Sequence, residues 1–152
     1  MPGDARPAPG PEAPVDLPLP LWRQMIDQAR AESPYEACGL VAGDAAGRAL
    51  RYHPMRNAAG RLDWFEPDPM ELLRLTMAIE GAAETVWGIY HSHPRSPARP
   101  SESDVEAAGY PDSLYLISSL QDGPHPVLRA FRIQEGQVTE VPLRLREPAA
   151  EA

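Results

Sequence analysis

The chain has a single cysteine, Cys38, and no lysine at all. One cysteine excludes an intramolecular disulfide and a cysteine-rich zinc site. Without lysine there is no Schiff base, no P-loop lysine and no Ser-Lys dyad. No run approaches the ~18 apolar residues that would span a bilayer, and no basic segment leading into an apolar stretch marks a secretory signal. No membrane association is therefore expected, and a cytoplasmic location is. Basic residues are scarce as well. The 14 arginines are outweighed by 22 acids, for a net charge of -8. Such a balance is poorly suited to phosphate backbones, so no nucleic-acid partner is expected. Histidine is sparse at four residues. Any metal must be held by imidazole and carboxylate.

What remains suits one ordinary globular domain: 152 residues, 43% apolar and 24% charged. Residues 1–18 are rich in Pro, Gly, Ala and acid, and read as a disordered tail. The folded domain is expected over 19–146, with a flexible end at 147–152. Leu21, Trp22, Met25, Ile26 and Ala29 share one helical face, which predicts a helix over about 20–32. Ser33-Pro34 stops it. Strands are expected over 38–42 and 48–54, around the Gly43-Asp44 turn. Asp68-Pro69-Met70-Glu71 reads as a helix start, with an Asp cap, Pro at the first position and Glu three later. That helix runs to Gly81 or beyond. Strands at 86–93, 114–120, 127–133 and 138–143 follow, with a short helix at 101–108 between the first two. Strands interspersed with helices predict an α/β fold, a mixed β-sheet flanked by helices.

The chemistry is concentrated in His91-Ser92-His93-Pro94, a proline-rich stretch over 95–100, and Ser101-Glu102-Ser103-Asp104. Residues two apart on a strand face the same side, so His91 and His93 project together. The proline-rich loop then brings Ser101 and Asp104 to a helix start, where Asp104 could complete a His-His-Asp set. Three protein ligands leave a fourth zinc position open, the pattern of a catalytic site. The plain alternative is a helix N-cap at Ser101 with an acid at the third position.

This stretch resembles the His-x-His-Pro-x6-Ser-x-x-Asp signature of the JAMM (MPN-plus) zinc metallopeptidases. Glu36-Ala37-Cys38-Gly39-Leu40 is similar to the family's Glu-x-Cys-Gly-Leu segment. Gly88-Ile89-Tyr90 and Arg129-Ala130-Phe131-Arg132 resemble its bacterial single-domain branch. The likeness runs from about Leu19 to Leu145. It implies the JAMM/MPN (cytidine-deaminase-like) fold and one Zn2+ per chain held by His91, His93 and Asp104. It implies Glu36 as general base and Ser101 as the donor that stabilises the developing oxyanion. Family members cut amide bonds at the C-terminal tails of ubiquitin-like proteins. For this branch the implied partner is a ubiquitin-like sulfur-carrier protein with a C-terminal Gly-Gly tail, from whose glycine cysteine is released. A general isopeptidase and a non-catalytic scaffold remain the alternatives.

Other side chains carry quieter expectations. Cys38 should be a small buried residue in a strand. His53 and His125, each preceding a proline, should be ordinary surface imidazoles in loops. Alternation puts Trp87 and Ile89 on the face of the His pair, and Val86, Gly88 and Tyr90 on the other. Trp64-Phe65 should pack, or line a substrate groove. Arg95 and Arg99 could be solvated or could meet a carboxylate.

Overall fold

The computed structural model describes residues 12–148. The first eleven residues of the expected tail, and residues 149–152 of the expected flexible end, lie outside the described residues. The elements run β1 (Val15–Pro18), α1 (Leu19–Glu32), β2 (Cys38–Gly43), β3 (Ala49–Met55), α2 (Pro69–Gly81), β4 (Thr85–His93), α3 (Glu102–Ala107), β5 (Leu114–Ser119), β6 (Val127–Gln134), β7 (Gln137–Val141) and β8 (Leu143–Arg146).

Six strands form one sheet in the order β3-β2-β4-β5-β6-β7. All neighbours are antiparallel except β4 and β5. A parallel pair needs a crossover, and residues 94–113, with α3 inside them, supply it. The expected mixed α/β sheet is what forms. The tail expected over 1–18 is shorter than that at its inner end. Val15–Pro18 make a parallel ladder with β8. Leu17 alternates inward and is wholly buried, which gives this segment an apolar anchor the composition conceals. The strand expected over 138–143 is broken at Pro142, which has no N–H for a ladder. The chain leaves the large sheet there and pairs with β1.

Each face of the sheet carries its own apolar cluster. On one face Leu21 and Met25 of α1 pack on Val41, Tyr52, Tyr90 and Leu116. On the other, Ile79 of α2 meets Leu40, Ile89, Ile117, Phe131 and Ile133. Strict alternation fails at one place. Val41 pairs with Gly88, but Ala42 pairs with Val86. Trp87 is the extra residue of a β-bulge, and a bulge re-aims the side chains beside it. Trp87 therefore packs with the α1 cluster, and Val86 with the other. This reverses both faces expected from alternation.

The caps follow the sequence. Asp68 Oδ1 accepts Met70 N–H at 3.0 Å and Glu71 N–H at 3.1 Å. Glu71 does not return the bond. Its Oε1 accepts Arg56 N–H at 2.6 Å instead.

Candidate metal centre

β4 ends in a run of six buried residues, Gly88 to His93. Its last two outward steps on the α2/α3 face are His91 and His93. The loop after Pro94 folds back over β5, tied by Ser119 Oγ donating to the Ser96 carbonyl at 2.6 Å. It delivers Ser101 as the N-cap of α3. Ser101 Oγ accepts Asp104 N–H at 3.1 Å, and Ser101 N–H donates to Asp104 Oδ2 at 2.9 Å. Both readings of Ser101-x-x-Asp104 therefore describe the same residues. The reciprocal cap is formed, and it aims Asp104 at the imidazoles.

Three atoms converge. His91 Nε2 and His93 Nε2 are 3.1 Å apart. Asp104 Oδ2 lies 3.1 Å from the first and 3.2 Å from the second. His93 Nδ1 donates to the Pro97 carbonyl at 2.8 Å. A carbonyl only accepts, so the proton is on Nδ1 and neutral His93 turns a lone pair inward. His91 Nδ1 is buried with no hydrogen-bond partner. Zinc with ligands at ~2.0–2.1 Å in a tetrahedron requires neighbouring ligand atoms about 3.3 Å apart. The observed triangle is close to that, and its donor set of two imidazoles and a carboxylate suits zinc.

Glu36 is the fourth member. Its carboxylate and the two imidazoles bring ligand atoms within 4.8 Å of one another. It sits just ahead of β2, where Ala37 N–H donates to Ser92 Oγ at 2.7 Å and Ser92 N–H to the Ala37 carbonyl at 2.9 Å. Asn57, which no motif marks, holds the other side. Its Nδ2 donates to the Glu36 carbonyl at 2.9 Å and the Trp64 carbonyl at 3.2 Å. Its Oδ1 accepts Ala59 N–H and Glu66 N–H. One side chain thus closes the 57–67 loop against Glu36. Nothing in the sequence around Asn57 signals this beyond asparagine's habit of bonding backbone in turns.

Electrostatics follow burial. Glu36 is 4% exposed, and burial pushes its carboxyl up to about 7, helped by the nearby Asp104 and opposed by His93. Burial would raise Asp104 too. Bonds with His91 and His93 and the Ser101 N–H outweigh it and hold Asp104 below the usual carboxylate range. Burial lowers His91. It pulls on His93 as well, but Asp104 and the Pro97 carbonyl overcome it and leave His93 raised.

Phe65 stacks on the His91 ring, with centroids 4.4 Å apart and planes 18° from parallel. Trp64 and Phe65 also border a cavity of about 230 Å³ with Leu72, Ile89, His91 and Asp104. The expected packing of Trp64 and Phe65 is thus found, beside a cavity. Cys38 is buried, with its thiol pushed up to about 12 by burial, and is no nucleophile at neutral pH. His53 corrects its expectation. It lies inside β3 opposite Leu40, half-buried with Nε2 unpartnered, because Pro54 falls in a strand with no partner on its outer edge, where proline is tolerated. His125 is exposed in a turn.

A buried imidazole pair and a carboxylate at the end of a parallel strand of a mixed sheet define an α/β protein built around a metal-competent site. The chain belongs to the Prok-JAB family, prokaryotic homologs of the JAB domain, whose family model matches residues 18–134; it is a peptidase. It is 40% identical over 128 residues to the CysO-cysteine peptidase of Mycobacterium tuberculosis, covering 84% of this chain and 88% of that one. It is 33% identical over 126 residues to a probable TtuB-protein conjugate cleaving protease of Thermus thermophilus, covering 80% of each. A protein of Desulfitobacterium hafniense, solved in solution, has the same fold at a TM-score of 0.80 and 33% identity, covering 90% of this chain and 95% of that one.

Proposed function

We propose that the chain is a zinc peptidase that hydrolyses the amide bond between the C-terminal glycine of a ubiquitin-like sulfur-carrier protein and a cysteine. The observation that carries this is the triangle of two Nε2 atoms and one Oδ2, with edges of 3.1, 3.1 and 3.2 Å, next to a buried acid. The likeness to the CysO-cysteine peptidase supports the substrate. His91, His93 and Asp104 would hold the ion. When bound, zinc polarises the scissile carbonyl and makes water a nucleophile near neutral pH.

The chain's own residues do the rest. Glu36 takes a proton from water as the water oxygen bonds to the glycine carbonyl carbon. It gives that proton to the amine as the C–N bond breaks, so the products are a glycine carboxylate and free cysteine. A carboxyl raised by burial is suited to both halves of that transfer. Ser101 Oγ already accepts the Asp104 N–H, so its hydroxyl proton is available to the carbonyl oxygen as charge develops there, worth a few kcal/mol at such sites. Phe65 and the Pro97 carbonyl fix the two rings. No step uses a side-chain nucleophile. No described helix is long and apolar enough to cross a membrane, and this reading has the chain meet its carrier in the cytoplasm.

The test has two arms. Metal analysis of purified protein is expected to find about one zinc per chain. Incubation with a sulfur carrier ending in Gly-Gly-Cys is expected to remove one cysteine by intact mass, and Glu36→Gln to abolish the loss. Metal-free protein prepared with zinc present would sink the reading. The relative from Thermus thermophilus favours a second reading, cleavage of carrier–protein conjugates. A lysine-linked conjugate cut while the cysteine adduct survives would select it.

A further inference from the structure

Paired residues on neighbouring strands point to the same side of a sheet. His91 pairs with Ile117, and Ile117 with Arg129. Arg129 therefore stands on the face of the imidazole pair, in its row. Strands are about 4.8 Å apart, so its Cα lies about 10 Å from that of His91. One step on, His93 pairs with Ser119 and Ser119 with Val127. Above these rows is a cavity of about 390 Å³ that the mechanism does not use. Pro97, Ala98 and Arg99 form one wall; Ser119, Val127 and Arg129 form the other.

Three observations say what it would take. First, the wall is shared with the metal centre. The Pro97 carbonyl receives His93 Nδ1–H, and the loop is pinned by Ser119 Oγ to the Ser96 carbonyl. Second, two arginines line it against one acid, Asp122, in a chain of net charge -8. Third, both cations are available. Arg99 makes no ion pair among the described residues, and Arg129 has only Glu140, at 3.7 Å with both half exposed. An exposed pair of that kind exchanges readily.

We infer that this cavity is the subsite for the free α-carboxylate of the leaving amino acid, with Arg129 as its anchor and Arg99 closing over it. The inference rests on the reading that the scissile bond joins the carrier's terminal glycine to a single amino acid. The carboxylate is then two bonds from the scissile nitrogen, and it must lie beside the metal centre on the departing side. A guanidinium fork is the side chain matched to a carboxylate. A lysine joined through its side-chain nitrogen has no carboxylate at that distance. The cavity therefore selects an amino acid over a folded protein as the leaving group.

The test uses the full chain and two carrier adducts, Gly-Gly-Ala ending in a free acid and the same adduct ending in a primary amide. Alanine avoids a thiol that could bind metal. The acid is expected to be cleaved with kcat/KM about 10-fold or more above the amide, carried mainly in KM. Arg129→Gln is expected to bring that ratio near one, Arg99→Gln to lower it partway, and Arg129→Lys to restore it in part. A readout without turnover is the amide NMR shifts of Ser119 and Val127, which alanine should move and alaninamide should not. An acid-to-amide ratio near one in the natural chain overturns the subsite and leaves the peptidase standing. So does a ratio unchanged in both Arg→Gln variants whose melting temperatures match. No cleavage of either alanine adduct overturns this inference, and only an intact Gly-Gly-Cys adduct beside them breaks the functional reading as well.

Discussion

The two faces of the sheet are built from the same strands and finished differently. On the α1 face, α1 buries four of its residues, Leu21, Met25, Ile26 and Ala29. Polar groups there are paired internally. Tyr90 hydroxyl donates to the Met25 carbonyl at 3.1 Å, and lies 2.7 Å from Ser118 Oγ. On the other face α2 buries Ile79 alone and leaves Met70, Leu73 and Met77 mostly exposed. Between α2, α3 and the sheet lies the cavity bordered by Leu72, His91 and Asp104. Close packing makes one face rigid and inert. The under-filled face keeps a buried acid, Glu36, and an imidazole nitrogen, His91 Nδ1, with no hydrogen-bond partner. A site of that kind needs a firm backing, and the α1 face provides it.

That contrast can be broken by substitution. The largest effect is expected on the open face: Glu36→Gln should lower hydrolysis of the carrier adduct by about 10²–10⁴-fold with little change in melting temperature. Full activity in that variant would return Glu36 to the status of a buried acid. On the sealed face Met25→Ala should cost about 2–5 kcal/mol of stability, read by urea unfolding, while the folded fraction keeps its turnover. A loss of kcat without loss of stability would mean that the faces are not separable.

pH sharpens the same contrast. In metal-free protein the folded state holds the Glu36 proton up to about pH 7, whereas the unfolded chain releases it near its ordinary value of 4.5. Between those values the folded state binds more protons, so stability falls as pH rises through the window, by up to about 3 kcal/mol. Glu36→Gln should flatten that slope in a series of melts, and zinc should flatten it too. A slope equally steep in the variant would assign it to other groups. Smallest is Phe65→Leu, which removes the ring stacked on His91. It should weaken zinc retention by about 1 kcal/mol in a chelator competition, with stability nearly unchanged.

Much of this was legible in the sequence because it is local. The spacing of Leu21, Met25, Ile26 and Ala29, the Asp68 cap and the His91/His93 alternation each depend on residues within one or two turns. What was not legible depends on partners far along the chain. The bulge that turns Trp87 away from the His pair arises from pairing with β2, 45 residues earlier by the Ala42–Trp87 separation. Leu17 looks like part of a tail until β8 arrives to pair with it. Asn57 is one polar residue in a loop until the Glu36 and Trp64 carbonyls close on it. Gly39 is of the same kind. A Cβ there would collide with the hydroxyl end of the Tyr52 phenol, so the Glu36–Leu40 segment requires glycine for a contact no motif displays.

Asp104 Oδ2 has a double assignment. The oxygen that faces both imidazoles also receives the amide proton that starts α3. Deleting that carboxylate would therefore remove the proposed metal ligand and loosen the start of α3 at once, so an Asp104→Ala defect cannot be credited to metal loss alone. Asn, which keeps an oxygen for the amide but not the charge, separates the two contributions.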